Sequence, residues 1–467
     1  MRIRVGGATL GLFISLAGVV HGAGAIEPSS VADCIKPRVL SVLQQSEAEG
    51  GPQVPAGPRL AVGRDVNEQL LALMETAESS LDLSLKDLAD SKSAQVIADL
   101  AGRGVRVRLL LDAQGSVQAV QSRVRRLSPD LNQRLRDGSV RIRYSNATEQ
   151  TQARNFPFSV FHRKQVIVDG GKAFAVTSAN LRHQRNVEAA FFSQAPGPEP
   201  LAVYEEDWAH ARDGEKSGQI RPGMSDGRYA PSESSGGLEV DTDHIELVGP
   251  GTAQPDLRRV LRKYMVGARK RIFLAVFDFT DRDLLRQLVR IRRERPELDL
   301  RVVFCGAPAK VKWFGKTITF PKNQVALASL QKAGVPVRVY SQEGVFMHAR
   351  LGVFDDNFYL GSADLRRASF DGNLDLGVVG HSRSGQLAAE GVQAFEELWQ
   401  GSQDAVQTPS LRGRIFEQAY YHSSLVMIYS YQLRQWWRRN LGALREAIRG
   451  PARLPSATVQ GGSSPSP

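Results

Sequence analysis

Histidine, a cation and a carboxylate recur at one spacing twice in this chain. Phe161-His162-Arg163-Lys164-Gln165-Val166-Ile167-Val168-Asp169 has a counterpart in Met347-His348-Ala349-Arg350-Leu351-Gly352-Val353-Phe354-Asp355. An imidazole titrates near neutral pH and serves as nucleophile or as general acid and base. Cleaving a phosphodiester requires a nucleophile at phosphorus, a proton for the leaving oxygen, and a grip on the anionic oxygens. Two imidazoles meet the first two needs, and cations and amide donors held in place meet the third without a metal. Along a strand, residues i and i+2 face the same way, so His162 shares a face with Lys164 and His348 with Arg350. An ionisable pair on an otherwise apolar strand is costly to bury without a purpose. Two such pairs in matched surroundings suggest that both meet at one site.

Each motif is followed by the same cast. After the first come Thr177-Ser178-Ala179-Asn180-Leu181-Arg182 and Asn186-Val187-Glu188; after the second, Gly361-Ser362-Ala363-Asp364-Leu365-Arg366 and Asn373-Leu374-Asp375. The acids lie 26 residues past His162 (188 − 162) and 27 past His348 (375 − 348). Both copies close on an aromatic-acidic-Trp segment, Tyr204-Glu205-Glu206-Asp207-Trp208 and Phe395-Glu396-Glu397-Leu398-Trp399. This ordered set resembles the phospholipase D superfamily, whose signature is His-x-Lys-x4-Asp followed by Gly-Ser-x-Asn.

The resemblance implies that the two motifs meet at a pseudo-twofold interface. It makes His162 the nucleophile, because its motif is intact, and His348 the general acid and base. Lys164 and Arg350 would hold phosphate oxygens, with Asn180, Ser178, Ser362 and Asp364 at the substrate. Glu188 and Asp375 would orient the imidazoles. Asp169 and Asp355 read as structural ends of the motif strands. Three positions depart from the signature: Arg350 for Lys, Asp364 for Asn, Thr177 for Gly. Asp364 beside a phosphate is repulsive unless it pairs with Arg350 or stays protonated. Arg182 and Arg366 read as solvated or packing residues.

The elements that must position these residues alternate in type. Strands are expected at 81–85, 105–111 and 140–144, then at 271–277, 300–305 and 335–340; helices at 93–101 and 131–135, then at 284–292 and 327–332. Alternation of this kind argues for α/β layers. The copies sit 186 residues apart at the histidines (348 − 162) and 191 at the first strands (272 − 81). The expected fold is a duplicated phospholipase D-like α/β domain, with mixed sheets flanked by helices and a C-terminal helical segment. The divisions are a signal peptide at 1–25, a lead-in at 26–58, repeats at 59–211 and 240–400 joined by a linker at 212–239, an amphipathic segment at 401–450 and a disordered tail at 451–467. The insertion at 307–316, with Lys310, Lys312, Trp313 and Lys316, reads as an exposed loop near the mouth of the site.

The 467 residues are 42% hydrophobic and 23% charged, an ordinary soluble composition, with net charge +11. Arg2 and Arg4, the apolar run from Val5 to Val20 and Ala23-Gly24-Ala25 read as an export signal, placing the protein in a bacterial periplasm or outside the cell. Its removal leaves +9 (11 − 2). An oxidising compartment permits a disulfide between Cys34 and Cys305, but Cys305 ends an apolar strand and reads rather as a buried free thiol; no spaced Cys/His cluster suggests a metal, and no cofactor is implied. The first functional expectation is an exported phosphodiesterase that hydrolyses or transfers phospholipid head groups through a phosphohistidine. In it the segment Ile415–Ile448 is a candidate membrane-surface contact. The alternatives are a metal-independent nuclease of the same superfamily, which the basic charge suits, and an impaired protein that only binds anionic lipid or polymer. Duplication removes the need for a dimer, so a monomer is expected.

Overall fold

The computed structural model describes residues 57–405 except 114–116, 146–159, 183–185, 195–197, 214–237, 241–242, 250–256, 314–315, 321, 343 and 372. The export signal, Cys34, most of the lead-in and linker, the segment Ile415–Ile448 and the tail lie outside the described residues.

In the first repeat, β1 (Arg59–Gly63) is followed by α1 (Val66–Glu75), β2 (Ser80–Leu85), α2 (Ser91–Gly102), β3 (Arg106–Asp112), α3 (Val117–Val124), α4 (Pro129–Asp137) and β4 (Val140–Ser145). Then come β5 (Gln165–Val168), β6 (Ala173–Thr177), β7 (Glu188–Ser193), α5 (Pro198–His210) and β8 (Arg212–Asp213). The second repeat runs β9 (Leu238–Val240), β10 (Asp243–Val248), α6 (Leu257–Gly267), β11 (Arg271–Val276), α7 (Arg282–Glu294), β12 (Asp299–Cys305), a hairpin β13 (Ala309–Trp313) and β14 (Lys316–Phe320), α8 (Gln324–Lys332) and β15 (Val337–Tyr340). It ends with β16 (Leu351–Phe354), β17 (Asn357–Gly361), α9 (Arg367–Asp371), β18 (Gly377–His381), α10 (Gln386–Gln400) and β19 (Gln403–Asp404).

The sheets have the orders β1-β7-β6-β5-β2-β3-β4-β8 and β19-β15-β12-β11-β16-β17-β18-β10-β9. Read in opposite directions they match strand for strand, with β9 added. β2, β3 and β4 are mutually parallel, as are β11, β12 and β15, while the other pairings are antiparallel, so both sheets are mixed. The sheets pack face to face. Ile167, Phe174 and Phe191 of one meet Phe358, Leu360 and Val378 of the other in a shared core, with the Phe191 and Phe358 rings 6.5 Å apart. Separate cores fill the outer faces beneath the helices.

Sequence and structure agree on the α/β duplication and differ in three places. The motif strands begin later than expected, at Gln165 and Leu351, so His162, Lys164, His348 and Arg350 stand on the extended segments leading into them. The insertion is a two-stranded hairpin, with Lys310 opposite Thr319 and Lys312 opposite Thr317, rather than a loop. Its apolar and polar residues alternate, a pattern masked by the lysines in a short window. Strand edges extend past the expected repeat ends, because Arg212–Asp213 joins the first sheet and Gln403–Asp404 the second.

The closing aromatic-acidic-Trp segments lie on α5 and α10. In each repeat an arginine from the middle parallel strand binds the first acid: Arg108 to Glu205 at 2.7 Å and Arg301 to Glu396 at 2.6 Å. An arginine from the next strand covers the tryptophan: Arg143 on Trp208 at 4.9 Å and Arg338 on Trp399 at 4.6 Å. These segments therefore clamp helix to sheet. Asp169 and Asp355 end the motif strands with positive φ (50° and 56°), a left-handed turn that aspartate tolerates. Their carboxylates accept from the N–H groups of Ser79 and Ser80, and of Lys270 and Arg271, tying β5 to the start of β2 and β16 to that of β11.

Candidate active site

The two motifs meet through the backbone of the opposite repeat. His162 N–H donates to Leu374 O at 2.8 Å, and Leu374 N–H returns a bond to Val160 O at 3.0 Å. Across the pseudo-twofold, His348 N–H donates to Val187 O and Val187 N–H to Phe346 O, both at 2.8 Å. Each His segment thereby lies parallel to the Asn-x-acid segment of the other half.

This pairing decides which acid meets which imidazole. His162 Nδ1 lies 2.6 Å from Asp375 Oδ1, and His348 Nδ1 lies 2.8 Å from Glu188 Oε2. A carboxylate only accepts, so each Nδ1 carries the proton and each Nε2 is left for chemistry. Both rings are largely buried, His162 at 4% exposure. Burial, then the charges of Lys164, Lys86 and Arg350, push the His162 imidazolium well below its ordinary range. Burial and Arg350 lower His348 as well, while Glu188 opposes them. His162 is thus the more firmly neutral ring, and His348 the one more readily protonated.

Ser178 and Ser362 differ from their expected place at the substrate. Ser178 Oγ donates to Glu188 at 2.5 Å and accepts from Ala189 N–H; Ser362 Oγ donates to Asp375 at 2.8 Å and accepts from Leu376 N–H. With its single proton committed, neither hydroxyl has a donor left for phosphate. They hold the acids that hold the histidines. Asn186 Nδ2 also reaches Glu188, at 3.2 Å. Asn180 lies three residues past β6, with its Oδ1 buried and without a hydrogen-bond partner among the described residues.

Lys164 Nζ donates to His162 O at 2.7 Å, and Arg350 Nη1 to His348 O at 2.6 Å, so the two cations curl back onto their own motifs alike. Burial and then Arg350 push the Lys164 ammonium well below its usual range, and a bound anion would favour its charged form.

A family model described as cardiolipin synthase, PLD-like domain, matches residues 70–206 and 261–399, more than half of the chain and one match per repeat. The chain belongs to this PLD-like domain family. The cardiolipin synthase of Geobacillus kaustophilus (strain HTA426) is 23% identical to it over 334 residues, which cover 68% of this chain and 61% of that protein. The chain therefore spans 61% of the length of that relative. The crystal structure of phosphatidylserine synthase from Haemophilus influenzae Rd KW20 superposes with a TM-score of 0.57 at 12% identity, covering 79% of this chain and 94% of that one. At that identity the likeness is one of fold.

Within this PLD-like site the departures from the signature become intelligible together. Arg350 Nη2 lies 2.8 Å from Asp364 Oδ1, and both side chains are almost wholly buried. Burial pushes the Asp364 carboxyl up, but Arg350 and Arg366 outweigh it and hold the group well below the carboxylate range. Asp364 is thus a charged partner of Arg350. Arg366 lies 3.4 Å from Asp364 and 3.6 Å from Asp278, which makes it part of the same cluster rather than a solvated residue. Arg182 pairs with Asp87 in the first repeat. Gly361 faces Gly377 across β17 and β18, where a Cβ would fall 2.5 Å from the Gly377 Cα; Thr177 faces Ala190 instead.

Two residues at the site carried no sequence signal. Phe277 packs its ring 5.0 Å from the His348 ring and 5.0 Å from the Arg350 guanidinium carbon, and Lys322 Nζ sits 3.6 Å over it. Lys86 lies in the first repeat where Phe277 lies in the second. Both stand one residue past a core strand and outside the motifs; only aligning the strand ends of the two copies could have found them.

Proposed function

We propose that this protein is a phospholipase D-type phosphodiesterase that transfers or hydrolyses phospholipid head groups through a phosphohistidine. The observation that carries the proposal is the crossed pairing of His162 with Asp375 and His348 with Glu188, which leaves two Nε2 atoms for one phosphorus. His162, the more firmly neutral ring, attacks phosphorus. The head-group oxygen leaves with the proton of His348 Nε2. Water or an alcohol then gives its proton to His348 and attacks phosphorus, and the bond to His162 breaks. Asp375 steadies the His162 ring as it becomes cationic, and Glu188 steadies the protonated His348. Lys164 and Asn180 receive the phosphate oxygens. The intact pair His348–Glu188 supports turnover over mere docking on an anionic surface.

The cardiolipin synthase relative supports transfer between phospholipids as the reaction. Export rests on the basic and apolar start of the chain. Among the described residues no helix is long and apolar enough to cross a membrane. Incubation with head-group-labelled phosphatidylglycerol and phosphatidylcholine tests the reading. Release or exchange that stops in His162→Ala, together with acid-labile label trapped on His162 when the lipid is instead labelled at phosphorus, is the expected result. No release or exchange from either lipid would sink it.

A further inference from the structure

The position beside each motif histidine is filled differently in the two repeats. β2 runs antiparallel to β5 with Ser84 opposite Gln165, and β11 runs antiparallel to β16 with Ala275 opposite Leu351. Lys86 and Phe277 each stand one residue past the strand, β2 or β11, that pairs with their own motif's strand. In the second repeat this place touches both the histidine and the cation of the motif. Phe277 makes both contacts with its ring. Lys86 brings a charge to the equivalent place, beside His162 and Lys164.

The rest of the cluster shows what that charge is for. In the second repeat Arg350 is paired with buried Asp364, so its charge is already matched within the protein. In the first repeat Asn180 stands in the place of Asp364 and is neutral. Lys86 is mostly buried, and among the described residues it makes no ion pair or side-chain hydrogen bond. Burial, followed by Arg366, lowers its ammonium from the usual range. The carboxylates of Asp112 and Asp364 act against this lowering without reversing it, so the cation stays unfavourable unless a further anion completes it.

We propose that Lys86 binds the substrate phosphate, supplying from the first repeat the positive charge that Asp364 withholds in the second. The ligand class is a phosphate mono- or dianion, held between Lys86 and Lys164 over His162. The proposal rests on the phosphodiesterase reading above but names a residue outside both motifs.

The test is calorimetric titration of the full chain with inorganic phosphate, in wild type, Lys86→Met, Lys86→Arg and Lys164→Met. Loss of one charge-assisted contact predicts affinity about tenfold weaker in Lys86→Met and near wild type in Lys86→Arg. Lys86→Met is also expected to melt at or above the wild-type temperature, because burial and Arg366 outweigh the nearby carboxylates and disfavour the charge it removes; a structural role would lower it. Phosphate affinity in Lys86→Met within twofold of wild type overturns the proposal, as does a wild type that binds no phosphate. Phosphate binding that depends on Lys86 without lipid turnover would overturn the reaction and leave this inference standing. Turnover with KM and phosphate affinity unchanged in Lys86→Met would do the reverse.

Discussion

At the scale of single residues, the proposed mechanism gives different tasks to two histidines that each hold an acid of the other repeat. His348→Asn should lower kcat by roughly 10²–10⁴-fold, the range for losing a general acid and base. The deficit should shrink for an aryl phosphodiester, whose leaving group needs no proton; steady-state rates on both substrates check this. His162→Asn should be inactive on both. The depressed His162 imidazolium also has a sign in stability. The unfolded ring titrates near 6.5 and the native one well below it, so the unfolded state binds more protons between those values. Stability is then fully present above about pH 6.5 and is lost as pH falls through the window beneath it. Urea melts at pH 5 and pH 7 should show this loss in wild type and a smaller one in His162→Asn.

Among elements, the motif strands are anchored at both ends. Asp169 and Asp355 bind strand-start N–H groups of β2 and β11. Asp169→Ala should destabilise by about 2 kcal/mol in urea melts, with Asp169→Asn milder, since Asn tolerates positive φ and still accepts. Neither substitution should change kcat in the folded fraction. α5 is joined to the first motif by the fully buried pair Arg163–Asp207 at 2.7 Å, where the second repeat has Ala349 and Leu398. Breaking a buried pair from one side leaves a lone charge, whereas an apolar replacement of both sides is often near neutral. Asp207→Leu should therefore cost about 3–5 kcal/mol, and Arg163→Ala with Asp207→Leu much less, as measured by urea denaturation.

For the whole molecule, neither repeat contains a complete histidine–acid pair, so the proposed site needs both. Glu188 belongs to the first repeat and serves His348 of the second; Asp375 belongs to the second and serves His162. A double-mutant cycle on kcat should accordingly find Glu188→Gln strongly coupled to His348→Asn, whose effects do not add. The coupling of Asp375→Asn to His348→Asn should be weaker. Equal coupling in both cycles would contradict the crossed arrangement. The sandwich of two sheets around Phe191 and Phe358 is what holds the halves in the register this requires.

The sequence alone determined the repeat, the α/β layers and the identity of the two histidines, because local spacing and strand-helix alternation are properties of short windows. It also singled out Glu188 and Asp375, and raised an Arg350–Asp364 pair as one resolution of its departures. Tertiary structure decided the rest. Which acid meets which imidazole depends on segments 213 and 160 residues apart in the chain, brought together by backbone pairing across the pseudo-twofold. The diversion of Ser178 and Ser362 from substrate to acid follows from which neighbour each hydroxyl reaches. Lys86 and Phe277 belong to no motif, and their place beside the histidines is set by strand register, which only the folded sheets define.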